Sequence, residues 1–319
     1  MRPLTMMTTA GEVTIEIPYC QLMEDGSWVS PLREAWGIEP SQRMTPELEE
    51  QLTFTAANTF SYESAAKVAA CWGSPVIDDS TIHSHVQKAG ARAREEEKRR
   101  ERAAETPALR EETVRRAGEE NPPGSFSLVI MMDGWMARER GPQWGLKPAE
   151  TAGDRVCWHE MKTAILFRVE DRAQTATGRP MVLEKSVVAH QGDWDGLAKK
   201  LVAEALRCGL KQAKEVFVVA DGGTWIWKLK DERFHHATGV LDFYHASENL
   251  WRAAHALHGK ESEKAKKWIE PVLHKLRHGK EKKALRTIRG LKKKALTLEQ
   301  EEQKIVNNTV AYFDNHRQH

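Results

Sequence analysis

The sequence predicts an α/β protein: a mixed five-stranded sheet with helices, preceded by a helical region and followed by basic helices. Three observations carry this. Ser127-Leu128-Val129-Ile130-Met131-Met132 and Glu215-Val216-Phe217-Val218-Val219-Ala220 are short apolar runs, rich in Val and Ile, and each is followed by Asp-Gly. Such runs bounded by Gly read as buried strands. Helical and strand patterns alternate after the first run, the order that builds layered α/β domains. From Lys260 to Lys294 there are 14 Lys plus Arg against 4 Glu.

Residues 1–45 hold one clear alternating strand, Glu12 to Pro18, and then a loop-rich stretch without an assigned role. Residues 46–92 read as helices. Thr45 caps the first, with Pro46 at its first helical position. Ser61 opens a second, which Gly73-Ser74-Pro75 breaks, and Asp78 to Thr81 cap a third with Ile82 and Val86 at i and i+4. Helix, Gly-containing turn, helix is helix-turn-helix spacing. The third helix then offers Ser80, Thr81, His83, Ser84, Gln87 and Lys88 to base edges and phosphates of DNA. Residues 93–124 are a charged helix or linker, closed by Asn121-Pro122-Pro123-Gly124 as a domain boundary.

From 125 to 258 the order is three hairpin-linked strands (127–132, about 156–169, about 181–188), a helix (193–207), a strand (215–220), a short helix (223–230), a strand (239–243) and an amphipathic helix from His245. In the second strand Met161, Ile165, Phe167 and Val169 alternate against Glu160, Lys162 and Arg168. This is the element order of the ribonuclease H-like fold, in which the fourth strand lies parallel to the first. Asp133 and Asp221 would then meet at the carboxyl edge of the sheet, where α/β sheets bind ligands. Residues 259–319 are a basic helical insertion.

Net charge is only +2, so the local basicity of 260–294, not the whole chain, points to a polyanion. Lys264, Lys267, Lys282, Lys283, Arg286 and Lys293 are the expected DNA contacts there. The four cysteines, Cys20, Cys71, Cys157 and Cys208, form no Cys-x-x-Cys pair, which argues against a zinc ribbon or a disulfide framework and fits a reducing cytoplasm. No apolar stretch is long enough to cross a membrane, and no signal peptide is evident.

Two carboxylates converging past buried strands suit a divalent metal. Phosphoryl transfer on DNA uses two ions roughly 4 Å apart, and hard oxygen ligands select Mg2+ or Mn2+. Asp133 and Asp221 are the expected metal ligands. Asp242-Phe243-Tyr244-His245 follows the last strand, which places His245 at the same edge, able to reach a scissile phosphate. Of Trp225 and Trp227, one is expected in the core and the other, Trp225, against an unpaired base, since aromatic faces serve that purpose.

The stretch Asp221-Gly222-Gly223-Thr224-Trp225-Ile226-Trp227-Lys228, with Leu241-Asp242-Phe243-Tyr244-His245-Ala246-Ser247-Glu248-Asn249-Leu250-Trp251, resembles the bacterial insertion-sequence transposases of the ISKra group, of the Asp-Asp-Glu class related to Mutator-type elements. Asp242 to His245 matches the class signature of Cys or Asp, two residues, then His. The resemblance runs from about residue 45 to 319. It implies metal-dependent cleavage at element ends and transfer of the freed 3′-hydroxyl to target DNA. It also implies recognition of terminal inverted repeats by the N-terminal helices and the basic insertion, and a homo-oligomer on double-stranded DNA.

The chain departs from that pattern at one point. The family's third acid, a Glu in a Gly-Ser-x-x-x-Glu context beyond the insertion, has no counterpart here. Glu248 comes too early, and Glu261 to Asp314 fall in basic helices, with Glu299, Glu301 and Glu302 in a charge run. The expectation is a C-terminally truncated transposase. Loss of one metal-holding carboxylate costs several orders of magnitude in rate, at about 1.4 kcal/mol per tenfold. The chain is therefore expected to be inactive or weakly active while still binding DNA. The alternative is a non-catalytic, transposase-derived DNA-binding protein or repressor.

Overall fold

A computed structural model describes residues 1–39, 42–73, 77–143, 155–260 and 262–318; Ser74, Pro75 and Glu261, named above, lie outside them. The chain forms two compact units, Met1–Lys98 and Arg99–His319.

The first unit opens with a hairpin, β1 (Arg2–Thr8) and β2 (Gly11–Ile17), in register from Arg2↔Ile17 to Thr8↔Gly11. Only its second strand shows in the sequence as alternation; in β1 Leu4 and Met6 are buried but Met7 interrupts the polar phase. A two-residue pair follows, β3 (Cys20–Gln21) with β4 (Trp28–Val29), then α1 (Pro31–Ala35).

The unit also holds α2 (Pro46–Ala57), α3 (Tyr62–Cys71) and the part of α4 (Asp79–Glu105) up to Lys98. Their starts are capped as the sequence indicates. Thr45 accepts from the Leu48 amide, Ser61 from Ser64 and Asp78 from Thr81, each satisfying an otherwise orphaned donor of a first turn. Leu48, Leu52, Ala65, Ala69, Ile77 and Ile82 form the shared core, where each fully buried Leu or Ile contributes roughly 2 kcal/mol. α4 runs unbroken through 27 residues, so the charged stretch after residue 92 continues the third helix. Pro107 ends its neighbourhood and starts α5 (Pro107–Glu120) at the first helical position.

The second unit carries the sheet: β5 (Ser127–Arg140), β6 (Val156–Arg168), β9 (Ser186–Gln191), β10 (Glu215–Ala220) and β11 (Thr238–Leu241), with a small hairpin, β7 (Arg172–Gln174) and β8 (Pro180–Val182), between β6 and β9. Strand order is β11-β10-β5-β6-β9. β10 is parallel to both β5 and β11, while β5, β6 and β9 are antiparallel. The sheet is thus mixed and five-stranded, with helices α6 (Trp194–Arg207), α7 (Thr224–Arg233) and α8 (Phe243–His258) in the expected positions.

Three expectations are corrected. β5 does not stop at Met132. Its parallel pairing to β10 ends at Met132↔Ala220, but its antiparallel ladder to β6 continues to Arg140↔Val156, so Asp133 lies inside a strand. The run expected as one strand over 181–188 is divided between β8 and β9, because residues 180–182 turn back on β7. The phase of β6 is also reversed. Register pairs Met132↔Ala164 and Ile130↔Leu166 put Ala164, Leu166 and Lys162 on the covered face, and Met161, Ile165 and Phe167 on the other.

The covered face is mostly apolar. Leu128, Ile130, Met132, Leu166 and Val218 pack with Leu197, Leu201 and Ala205 of α6 and Ile226 and Leu229 of α7. On the opposite face Met131, Trp135 and Val187 stay 37%, 51% and 61% exposed. A separate layer follows: α8 with α9 (Glu263–Arg277), α10 (Glu281–Arg289), α11 (Leu291–Ala295) and α12 (Gln300–Asn315). It closes over its own core of Leu250, Ile269, Val272, Ile288, Leu291, Val306, Val310 and Phe313. Among the described residues, no helix is long and apolar enough to cross a membrane.

Candidate carboxylate site and nucleic-acid interface

The parallel ladders bring three acids to one edge. Met132↔Ala220 is the last β5–β10 pair and Ala220↔Leu241 the last β10–β11 pair. The next residues on the three strands are Asp133, Asp221 and Asp242. The Asp242 amide donates to the Ala220 carbonyl at 2.7 Å, which ties the third to the second.

Each carboxylate has one oxygen engaged locally. Asp133 Oδ1 accepts from the Gly134 amide at 2.8 Å, Asp221 Oδ1 from Gly223 at 2.9 Å, and Asp242 Oδ1 from Tyr244 at 2.7 Å. Asp242 is thereby the N-cap of α8. Among the described residues, no group of three or more His, Cys, Asp or Glu stands together as a metal cluster. The donor chemistry of Asp133 and Asp221, oxygen only, still fits a hard divalent cation in kind. His245 follows in the first turn of α8, partly exposed, with Nδ1 4.0 Å from Glu248 Oε2.

Trp225 and Trp227 go inward. Trp227 is buried. Trp225 is half-buried against the sheet core. A methyl group at Gly134 would stand 3.5 Å from its Cζ2, and one at Gly223 would stand 3.4 Å from its Nε1. The indole thus packs in ordinary van der Waals range of the backbone at Gly134 in β5 and at Gly223 in the turn after Asp221. Lys162, only 5% exposed, holds its Nζ 5.4 Å from the centre of that ring. It donates to the Gly192 carbonyl at 2.9 Å and pairs with Glu160 at 2.7 Å, which offsets the cost of burying its charge. Alternation along the strand places Lys162 on the outer face; the Gly134↔Lys162 register would have been needed to find it.

The turn after Asp221 is held from the helical layer. Tyr312 Oη donates to the Asp221 carbonyl at 2.7 Å. His316 Nε2 lies 2.9 Å from the Gly222 carbonyl, and its Nδ1 lies 2.7 Å from the Tyr312 carbonyl. A neutral imidazole can donate only one of these bonds. Burial, reinforced by the Asp221 and Asp242 charges, pushes the Tyr312 hydroxyl well above its ordinary range. Gly222 has φ +106°, and a Cβ there would meet His316 at 2.9 Å and Tyr312 at 3.0 Å. Nothing in the local pattern around Tyr312 announces this role, because its partner is 91 residues away.

The expected DNA contacts fall in two groups. In the first unit, His83, Ser84, Gln87 and Lys88 are exposed on α4. Ser80 and Thr81 sit at its start with both hydroxyls bonded to Asp78. Those bonds and the Thr81 amide hold the Asp78 carboxyl down to about 2. In the second unit Lys264 and Lys267 of α9, Lys282, Lys283 and Arg286 of α10, and Lys293 of α11 are all exposed, on the sides of helices whose apolar residues fill the layer's core.

Residues 1–111, about a third of the chain, match a family model described as "Uncharacterised protein family (UPF0236)". No curated protein matches the chain.

Proposed function

We propose that this chain is a DNA-binding protein of the insertion-sequence transposase type, with a ribonuclease H-like core and a helix-turn-helix in its first unit. Asp133 and Asp221 are its metal-binding pair. The observation that carries the reading is the Met132↔Ala220 register, which sets these two acids side by side at the carboxyl edge of parallel strands. Mg2+ or Mn2+ held there would supply charge neutralisation at a scissile phosphate and activation of the attacking oxygen. Around it, the chain's own residues bind and orient. His245 stands at the same edge to contact a phosphate. The exposed cations of α9, α10 and α11 track the DNA backbone, and α4 presents His83, Ser84, Gln87 and Lys88 to a groove. The DNA partners are element ends and target sites, handled by a homo-oligomer.

The Glu that the resemblance implies as third acid has no counterpart in the sequence, so strand cleavage by the chain alone is expected to be weak or nil. The second reading is a non-catalytic DNA-binding protein, a repressor at element ends. Two measurements on the full chain separate these. Mn2+ binding followed by electron paramagnetic resonance is expected to weaken in both Asp133→Asn and Asp221→Asn. DNA binding, followed by fluorescence anisotropy on a labelled duplex, is expected to survive both changes. Mn2+ binding indifferent to both substitutions overturns the metal pair. Robust Mg2+-dependent cleavage abolished by Asp133→Ala overturns the non-catalytic reading and makes the chain a nuclease in its own right.

A further inference from the structure

The Asp221 turn is the part of the candidate site with the least support of its own. It follows a strand end, passes through Gly222 at φ +106° and makes one internal bond, Gly223 amide to Asp221 Oδ1. Its Gly223 carbonyl caps α7, accepting from the Ile226 amide at 3.0 Å, and the two carbonyls before it are met by α12 and its C-cap residue His316. The Tyr312 hydroxyl takes the Asp221 carbonyl and His316 takes the Gly222 carbonyl, two successive peptide oxygens held by two side chains one helical turn apart. His316, the C-cap of α12, follows Tyr312 by four residues, which brings both side chains to the same side of the helix end. His316 is itself packed, its ring 4.9 Å from the Tyr312 ring, and the tautomer that donates to Gly222 leaves its other nitrogen without a proton for the Tyr312 carbonyl. Gly222 admits this approach because it has no side chain.

We infer that Tyr312 and His316 are positioning residues for Asp221, acting through the backbone of its turn, so that the orientation of that carboxylate is set by the helical layer and not by the sheet alone. The metal-site part of this inference rests on the function proposed above; the restraint of the turn does not. Neither residue touches the carboxylate oxygens in the arrangement described. Their effect is to fix the two peptide planes that flank Gly222; the first of these, Asp221–Gly222, is joined to the Asp221 α-carbon, so fixing it restricts the direction in which the side chain leaves the backbone. The anchor is firm because α12 belongs to a packed layer, with Val306, Val310 and Phe313 buried in the same core as α8 to α11. The α8 helix in that layer begins at Asp242, whose amide is bonded to Ala220. The layer therefore meets the turn from two directions.

The test uses the full chain as wild type, Tyr312→Phe, His316→Ala and the double variant, with two readouts. The first is amide hydrogen exchange over residues 221–224, against the α6 amides as an internal control. Exchange at 221–224 is expected to rise at least tenfold in the double variant, with α6 unchanged. The second is Mn2+ affinity, expected to fall about tenfold in Tyr312→Phe with the thermal midpoint moved by only a few degrees. Unchanged exchange at 221–224 in the double variant overturns the restraint. Faster exchange with unchanged Asp221-dependent Mn2+ binding overturns the positioning role. If wild type binds no Mn2+ through Asp221, the metal reading fails and the positioning role with it, while the exchange result still decides the restraint. A collapse of α6 protection in Tyr312→Phe, which deletes one oxygen atom, assigns the residue to general stability and also overturns the inference.

Discussion

Glu49 on α2 meets His85 on α4 with 2.8 Å between Oε1 and Nδ1, and its second oxygen takes Arg92 at 2.9 Å. Burial alone would raise the Glu49 carboxyl, but the hydrogen bonds and charges of His85 and Arg92 outweigh it and hold it below the usual carboxylate range. A depressed carboxylate stabilises the fold above its unfolded value and loses that contribution as pH falls. Glu49→Gln is expected to lower stability by about 1 kcal/mol at neutral pH. The gap to wild type should narrow below about pH 4.3, the ordinary value of a glutamate carboxyl. Urea denaturation at several pH values measures it.

Gly222→Ala adds a Cβ where the backbone is left-handed and where His316 and Tyr312 already stand within van der Waals distance. The left-handed cost of roughly 1–2 kcal/mol adds to the displacement of α12. A loss on the order of 2–4 kcal/mol is expected, read by chemical denaturation. A neutral result would mean that α12 does not approach the turn.

Tyr312 gives a prediction at the alkaline end. Its hydroxyl is raised by burial first and then by Asp221 and Asp242. A raised group contributes stability that is present below its unfolded value, near 10, and lost as pH rises through the folded one. The chain should therefore lose stability above about pH 10 more steeply than Tyr312→Phe does. Thermal midpoints from pH 8 to 11 decide it.

The basic layer predicts a salt signature. If Lys282, Lys283 and Arg286 each neutralise a phosphate, the plot of log affinity against log salt has a steep negative slope. Replacing all three by Gln should then reduce its magnitude by about 0.9 for each phosphate no longer neutralised. An unchanged slope would remove α10 from the interface.

Asp242 can be separated into cap and ligand. Its Oδ1 accepts the Tyr244 amide at 2.7 Å, so Asp242→Asn should keep most of the cap while Asp242→Ala costs about 1 kcal/mol. If Asp242→Asn abolishes Mn2+ binding without loss of stability, the residue belongs to the metal site.

Much of the architecture was legible because local physics dominates there. The apolar runs 127–132 and 215–220, the capping residues Thr45, Ser61 and Asp78, and the Trp194–Arg207 helix all follow from periodicity and backbone hydrogen-bond satisfaction within a few residues. Asp133 and Asp221 stood out for the same reason, as charges directly after buried runs. β1 was not legible, since two adjacent methionines blur its alternation. Neither was the length of β5, which is set by its partner β6 and not by its own composition.

The phase of β6 shows where local reading fails. Lys162 looks like a solvent-facing residue in a strand with Met161 and Ile165, yet register turns it inward beneath Trp225, with Glu160 and the Gly192 carbonyl to receive its charge. A one-residue shift in register moves every side chain to the other face, and register depends on pairing between distant segments. By itself the sequence determined the mixed α/β class, the order of the main strands and helices after residue 125, and the two acids that follow apolar runs, because these depend on near neighbours and on the need to bury apolar runs. Only the tertiary structure decided that Met132 pairs with Ala220, that Trp225 packs beside Gly134 and Gly223, and that Tyr312 and His316 hold the Asp221 turn. Most of these pairs are far apart in the chain, and the energy that selects them arises only once the sheet and the helical layer have both formed.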